Sequence, residues 1–425
     1  MGVSDKSGGI SGAVSRKAGL DPLIAAAARA LAAGDVLGAL NHIALRDDAP
    51  ALALRGIAMA RLGDLVRAKV LLRTAARAFG SKDAVARARC VLAEAEVALV
   101  SRDLGWPAKA LDDARTTLQA HGDAANAAHA GHLQARRLLL IGQLAEAEQV
   151  LARLDPTPLP PASKAAHALV VAGVCVRRLQ TKSARAALAG AHRAARHAGI
   201  PALLAEVESA SLALDAPAAR LIARGEERVL RLDDVETLLA SDAFVIDACR
   251  YAVRQSQTSV SLAGRPVLFT LARTLAEAWP ADVPRDTLVA RAFRGKRADE
   301  SYRARLRVEM GRLRTLLRPL AGVSATAKGF ILAPRHAADV VVLAQPVDEA
   351  HGEVLALLAD GESWSSSALS LAAGASQRTV QRALESLAAQ GKVQWLGQGR
   401  SRRWMATPSV TGFTTALLLP ISLPS

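Results

Sequence analysis

Glu300–Leu317, ESYRARLRVEMGRLRTLL, followed by Val323–Pro334, VSATAKGFILAP, is the stretch from which the fold of this chain is read. At 100° per residue Leu306, Met310, Leu313 and Leu317 fall within about 60° of one another, the apolar stripe of a helix bedded on a core. Arg303, Arg307 and Arg314 then share one flank of that helix, and Arg305 and Arg312 share the other. The segment after it reads as two strands turning about Gly329, with Lys328 at the turn.

Toward the N-terminus, RPVLFTLARTLAEAW (Arg265–Trp279) is another apolar-periodic helix, and RDTLVARAF (Arg285–Phe293) is a short one after a turn at Pro284. Ahead of them ERVLRL, AFVIDACRYAVR and TSVSLAGRP alternate and carry β-branched residues, which predicts short strands from about residue 216. In order of elements and in residues this region resembles the winged-helix effector domain of the OmpR/PhoB type over about residues 243–334. The likeness is most specific at GRLRTLLRPL and SATAKGFIL. It implies that the helix Glu300–Leu317 is a recognition helix and that the hairpin around Lys328 is a wing. The physics of the helix points the same way, because guanidinium groups on both shoulders of a leucine stripe can meet phosphates on the two strands of a major groove. A merely solvated face, with arginines paired to Glu300 and Glu309, is the alternative. Over residues 241–337 seventeen basic side chains stand against eight acidic ones, so local pairing leaves most of the arginines over. The receiver domain that usually precedes such units has no counterpart here, which argues against phosphorelay control.

Downstream, RHAADVVVLAQPVDEAHG reads as a linker to a smaller module. GEVLALLADG and SSSALSLAAG predict two helices, RTVQRALESLAAQGKV a third, and VQWLGQGRSRRWMA a hairpin. The module is similar to the winged helix-turn-helix units of many bacterial repressors. On its third helix Val380, Leu384 and Leu387 form the buried stripe, with Arg378, Arg382 and Glu385 opposite and Gln377, Thr379 and Gln381 near the N-terminus. Glutamine pairs with adenine and arginine with guanine in bidentate fashion. Ser376 is the expected N-cap. Arg400, Arg402 and Arg403 follow a glycine-permitted turn, where a wing touches phosphates or the minor groove, and Trp395 and Trp404 are read as core. The last fifteen residues, TGFTTALLLPISLPS, form an apolar tail expected to pack as a strand or dimer contact.

The N-terminal half has another texture. From about Leu20 to Leu214, Ala, Leu and Arg recur at three and four with short Gly, Asp and Pro punctuation, which predicts helix upon helix. One phrase recurs five times, from Gly34, Gly63, Gly105, Gly142 and Thr181, with an alanine five residues on at Ala39, Ala68, Ala110, Ala147 and Ala186. A turn that opens a second helix, whose small residue lets its partner approach, explains the pairing. The array resembles tetratricopeptide-like repeats, which stack hairpins and present a groove to a protein partner or small effector. Dimerisation or simple stiffening is the alternative role. LDPTPLPPAS reads as a loop. His121, His129 and His132 cluster, but their neighbours supply no further zinc ligands, so no metal site is expected.

The chain has 425 residues, enough for several cores, and carries Lys+Arg 54 against Asp+Glu 39, a net charge of +15 that favours a polyanionic partner. Cys90, Cys175 and Cys249 are scattered in apolar patterns, as buried free thiols are. The first residues lack the apolar run of a secretory signal and no later run of about 18 apolar residues occurs, so a cytoplasmic protein with no membrane partner is expected. No GxxxxGK[ST] loop, GxSxG elbow or HExxH motif is present, which predicts neither an enzyme nor a cofactor.

The sequence therefore predicts a mainly α chain: an α-solenoid of helical hairpins followed by two winged helix-turn-helix α+β domains. The expected boundaries are a disordered start at 1–19, repeats at 20–215, winged units at 216–337 and 338–408, and a tail at 409–425. The expected function is a regulator of transcription that reads double-stranded DNA, monomeric or as a homodimer. A non-enzymatic scaffold with docking or non-specific winged folds is the alternative. Single-strand binding is disfavoured, because only 3% of residues are aromatic.

Overall fold

The computed structural model describes residues 21–157, 159–293, 300–336, 339–345, 351–358, 362–399, 402–406 and 417–419. The chain is mainly helical, with consecutive helix pairs in its N-terminal half and a mixed α+β region after them. The helices of the first half are α1 (Pro22–Ala32), α2 (Val36–Ile43), α3 (Ala49–Arg61), α4 (Leu65–Phe79), α5 (Ala84–Val100), α6 (Ala108–Ala120), α7 (Ala124–Leu140), α8 (Leu144–Ala152), α9 (Pro161–Arg177), α10 (Thr181–Ala198) and α11 (Pro201–Asp215). Two compact units result. The described residues of Met1–Ala98, Pro107–Ala130 and Leu417–Ser425 form one, and those of Leu99–Trp106 and Gly131–Ala416 the other.

The turns of the helix pairs follow from local chemistry. Gly34, Gly63 and Gly142 take positive φ of 85°, 86° and 78°, and Ala39, Ala68 and Ala147, five residues on, are fully buried. The other two copies of the phrase differ. At the α9–α10 turn the left-handed position is Leu179, φ 57°, so the buried alanine is Ala184 and Ala186 is exposed. A leucine there hides the repeat from a search keyed on glycine. After Gly105 the buried position is Leu111, and Ala110 is half-buried.

The second unit continues with β1 (Ala219–Ala223), β2 (Glu226–Leu230), α12 (Leu232–Ala240), β3 (Phe244–Asp247), β4 (Ala252–Gln255), β5 (Thr258–Ser261), α13 (Pro266–Ala278), β6 (Val283–Pro284), α14 (Arg285–Phe293), α15 (Glu300–Leu317), β7 (Ala321–Ala325), β8 (Gly329–Pro334) and β9 (Val340–Ala344). A six-stranded sheet runs β2-β1-β9-β3-β4-β5, with β9 parallel to β3 and every other neighbour antiparallel. Side chains alternate across it as the two-residue period requires. Phe244, Ile246, Val340 and Val342 enter the core shared with α13, α14 and α15, while Val245, Val341 and Leu343 pack on the opposite face with Val235 of α12.

The stretch expected to be a linker thus contains a central strand. VVVLA reads as a short apolar run without alternation because both of its faces are covered, and its polar flanks disguised it. Arg185 of α10 pairs with Asp215 of α11 at 2.9 Å and ties the helices to this region through Asp233 of α12 at 2.8 Å. Asp247 is fully buried and serves the chain's own turn, accepting from the backbone N–H of Cys249 and of Arg250 at 3.0 Å each.

The remaining elements are α16 (Gly352–Leu358), α17 (Ser366–Ala373), α18 (Gln377–Ala389), β10 (Val393–Leu396) and β11 (Arg403–Ala406). β10 and β11 form a hairpin, and Trp364 adds a bridge to it, exchanging backbone hydrogen bonds of 2.7 Å with Trp404 in both directions. Among the described residues no helix is long and apolar enough to cross a membrane.

Candidate nucleic-acid interface

Helix α15 is bedded as its stripe requires, with Leu306, Met310, Leu313 and Leu317 at most 1% exposed. Its arginines are turned outward, and each has a neighbour. Arg303 lies 3.6 Å from Asp286 of α14, Arg307 bonds Glu300 at 3.2 Å and Arg312 bonds Glu309 at 2.9 Å. The Arg305 guanidinium stands 4.7 Å from the ring centre of Phe293. More of these side chains are paired than the charge count suggested. Exposed pairs of this kind contribute about 0–1 kcal/mol, so a phosphate can replace the carboxylate at little cost.

Arg314 is different: its Nε donates to the Val323 carbonyl at 2.6 Å, and its guanidinium lies 5.5 Å from the Phe330 ring centre. Arg285 lies at the same distance from that ring and donates to the carbonyls of Ala327 at 3.0 Å and Thr326 at 3.1 Å. The hairpin tip is further held by Thr326, whose hydroxyl donates to Asp282 at 2.5 Å and accepts from the Gly329 N–H at 2.8 Å. Lys328 is left exposed on this braced turn. Arg285, Thr326 and Asp282 were not singled out from the sequence, since nothing in their local pattern records a partner some forty residues away. Glycine is required at 329, where a Cβ would stand 1.7 Å from the Val283 carbonyl oxygen.

In the smaller module Val380, Leu384 and Leu387 are buried as expected, and Ser376 caps α18 by accepting from the Thr379 N–H at 3.2 Å. The opposite face is open. Gln377, Arg378, Thr379, Gln381 and Arg382 are all exposed. Gln377 makes a long contact of 3.4 Å to Ser366 and Thr379 shares a 2.8 Å hydroxyl bond with Ser376. Arg378, Gln381 and Arg382 have no hydrogen bond or ion pair among the described residues.

The hairpin departs from expectation in two places. Trp404 is core, but Trp395 is half exposed, and Arg402 stacks against both rings, 5.4 Å from Trp395 and 5.6 Å from Trp404. Arg403 is partly buried and donates to the Ser101 carbonyl at 3.2 Å. That carbonyl belongs to Leu99–Trp106 of the same compact unit, where the buried Arg102 lies 5.5 Å from the ring centre of Trp364. Arg400 lies outside the described residues.

The histidines are not gathered. His121 bonds the carbonyl of Thr117, His129 is buried against Glu96 at 2.8 Å, and His132 is buried against His167 at 3.0 Å. No group of three His, Cys, Asp or Glu residues is placed to hold a metal ion among the described residues. Comparison with protein-family models, with curated proteins and with solved structures gives no match for this chain.

Proposed function

We propose that this chain is a bacterial-type transcription regulator that reads duplex DNA in a sequence-specific way, through two winged helix-turn-helix units. In this reading α15 with the β7–β8 hairpin forms the first unit, and α18 with the β10–β11 hairpin forms the second. The observation that carries the reading is the open face of α18. Arg378, Gln381 and Arg382 are exposed beside Gln377 and have no hydrogen-bond or ion-pair partner among the described residues to give up. Their contacts to base edges would therefore count in full, and the good bidentate ones discriminate by about 1–3 kcal/mol each. Arg303, Arg305, Arg307 and Arg312 supply phosphate contacts from α15, while Arg314 positions the hairpin. The helical half serves a partner, a small effector or dimerisation.

A scaffold reading has one observation in its favour, the inward turn of Arg403 and the stacking of Arg102 on Trp364, which engage the second hairpin within the chain. Selection of bound duplexes from a random DNA pool separates the two. An enriched motif with two parts, one lost in Arg378→Ala/Arg382→Ala and the other in Arg303→Ala/Arg307→Ala, is expected. Binding without any enriched motif would favour the scaffold, and no binding would end both DNA readings.

A further inference from the structure

The carboxylate of Glu96, on α5, is 2% exposed, deep in the first compact unit. A buried carboxylate is only an acceptor and is costly unless donors surround it. One donor comes from His129 of α7, itself 3% exposed, through Nε2 to Oε2 at 2.8 Å. The others come from the far end of the chain. The backbone N–H of Leu418 donates to Oε1, and that of Leu419 donates to Oε2 at 2.8 Å. Leu419 is 2% exposed within the apolar cluster built by α1 to α5, and Leu417 packs against the same cluster. These three residues are not a strand, one of the two forms expected of the tail. Leu419 holds a φ of 49°, a left-handed backbone that a leucine avoids unless its surroundings hold it there.

Two features mark this as recognition of a peptide rather than ordinary core packing. Both oxygens of one carboxylate take successive main-chain N–H groups, which an extended strand would point to opposite sides and which the left-handed turn at Leu419 brings to the same side, while a leucine side chain supplies selectivity, as in other peptide grooves. Without the segment, Glu96 would keep His129 alone among its present donors and the apolar cluster would open where Leu419 sits, so the unit is built around an occupant. We propose that the N-terminal helical unit is a receptor for a leucine-bearing peptide that turns its main-chain N–H groups onto Glu96, and that Leu417–Leu419 fill it in cis as a latch. The inference stands apart from the DNA reading, since neither the site nor its test involves nucleic acid.

A tethered segment competes at an effective concentration of about 1 mM, so the wild-type chain should take up the same peptide in trans only weakly. The test is fluorescence polarisation with a labelled peptide of residues 411–425 and full-length protein. Leu419→Asp should empty the site and bind the peptide at least tenfold more tightly than wild type, and adding Glu96→Gln should reverse that gain. Equal binding by Leu419→Asp and wild type, or binding by neither, would overturn the proposal. Hydrogen exchange on the unmodified chain gives an answer that does not depend on the variants folding. The amides of Leu418 and Leu419 should exchange at least a hundredfold more slowly than in the free peptide, and exchange at the free-peptide rate would refute the latch.

Discussion

Arg314 reaches from α15 to the hairpin and donates its Nε–H to the carbonyl oxygen of Val323 at 2.6 Å. It therefore sets the angle between helix and hairpin, whereas Arg305, Arg303 and Arg307 make no backbone contact of this kind among the described residues. Arg314→Met should lower stability by about 1.5–3 kcal/mol, the worth of a charged hydrogen bond to a carbonyl left without it. Urea unfolding reads this directly. Arg305→Ala should leave stability within about 0.5 kcal/mol, yet reduce the slope of log affinity for duplex DNA against log salt by about one.

Gly329 and Gly311 should respond in opposite directions to alanine. At Gly329 the added Cβ meets Val283 backbone at 1.7 Å, so Gly329→Ala should cost more than about 3 kcal/mol and depress the urea midpoint sharply. Gly311 sits on α15 with nothing within 4 Å of an added Cβ, and Gly311→Ala should stabilise by about 0.5–1 kcal/mol.

On α18 stability and recognition should separate. Ser376→Ala removes the N-cap and should cost about 0.5–2 kcal/mol in a thermal or urea melt. Arg378→Ala/Arg382→Ala touches exposed side chains without a partner among the described residues, so the melt should move by no more than about 0.5 kcal/mol while the DNA motif selected from a random pool is degraded.

Burial pushes the Cys90 thiol up to about 12, with Glu94 adding to it, and the Cys249 thiol up to about 11, with Asp247 adding to it. Thiolate is the reactive form, so neither should label readily at pH 8. Iodoacetamide should modify the native chain far more slowly than the urea-unfolded one, in which all three cysteines react. Rapid native labelling at Cys90 would contradict its burial.

Asp123 opens α7 and accepts from Arg89 at 2.8 Å and from the side chain of the buried Asn126. Burial by itself would raise its pKa, but the bonds from Asn126 and Arg89 outweigh it and hold the carboxyl below its usual value of 3.8. A depressed folded pKa contributes stability that is present above the unfolded value and is lost as pH falls through the folded one. Asp123→Asn should therefore be less stable than wild type at pH 7, with the difference shrinking below about pH 4. Denaturant melts at several pH values test the sign.

What the sequence by itself determined is the set of properties carried by local period. On α15 and α18 the leucine stripes place each of their predicted core residues inside, because a 3.6-residue repeat leaves a helix one face to bury. Ser376 as a cap and the glycine turns at 34, 63 and 142 are equally local, being decided within four or five residues of chain. The tertiary structure decided the rest, where a residue's role depends on a partner far along the chain. Strand β9 became the middle of a sheet because two faces arrived to cover it. Leu179 stands where other turns have glycine, packed against the apolar cluster of the sheet and α12 that lies some forty or more residues further along the chain. The arginines of α15 divided into one braced against Val323, one stacked on Phe293 and three paired with carboxylates, a distinction no spacing encodes. Glu96 and His129 met Leu418 and Leu419 across some three hundred residues, for a buried carboxylate takes whatever donors the fold brings to it.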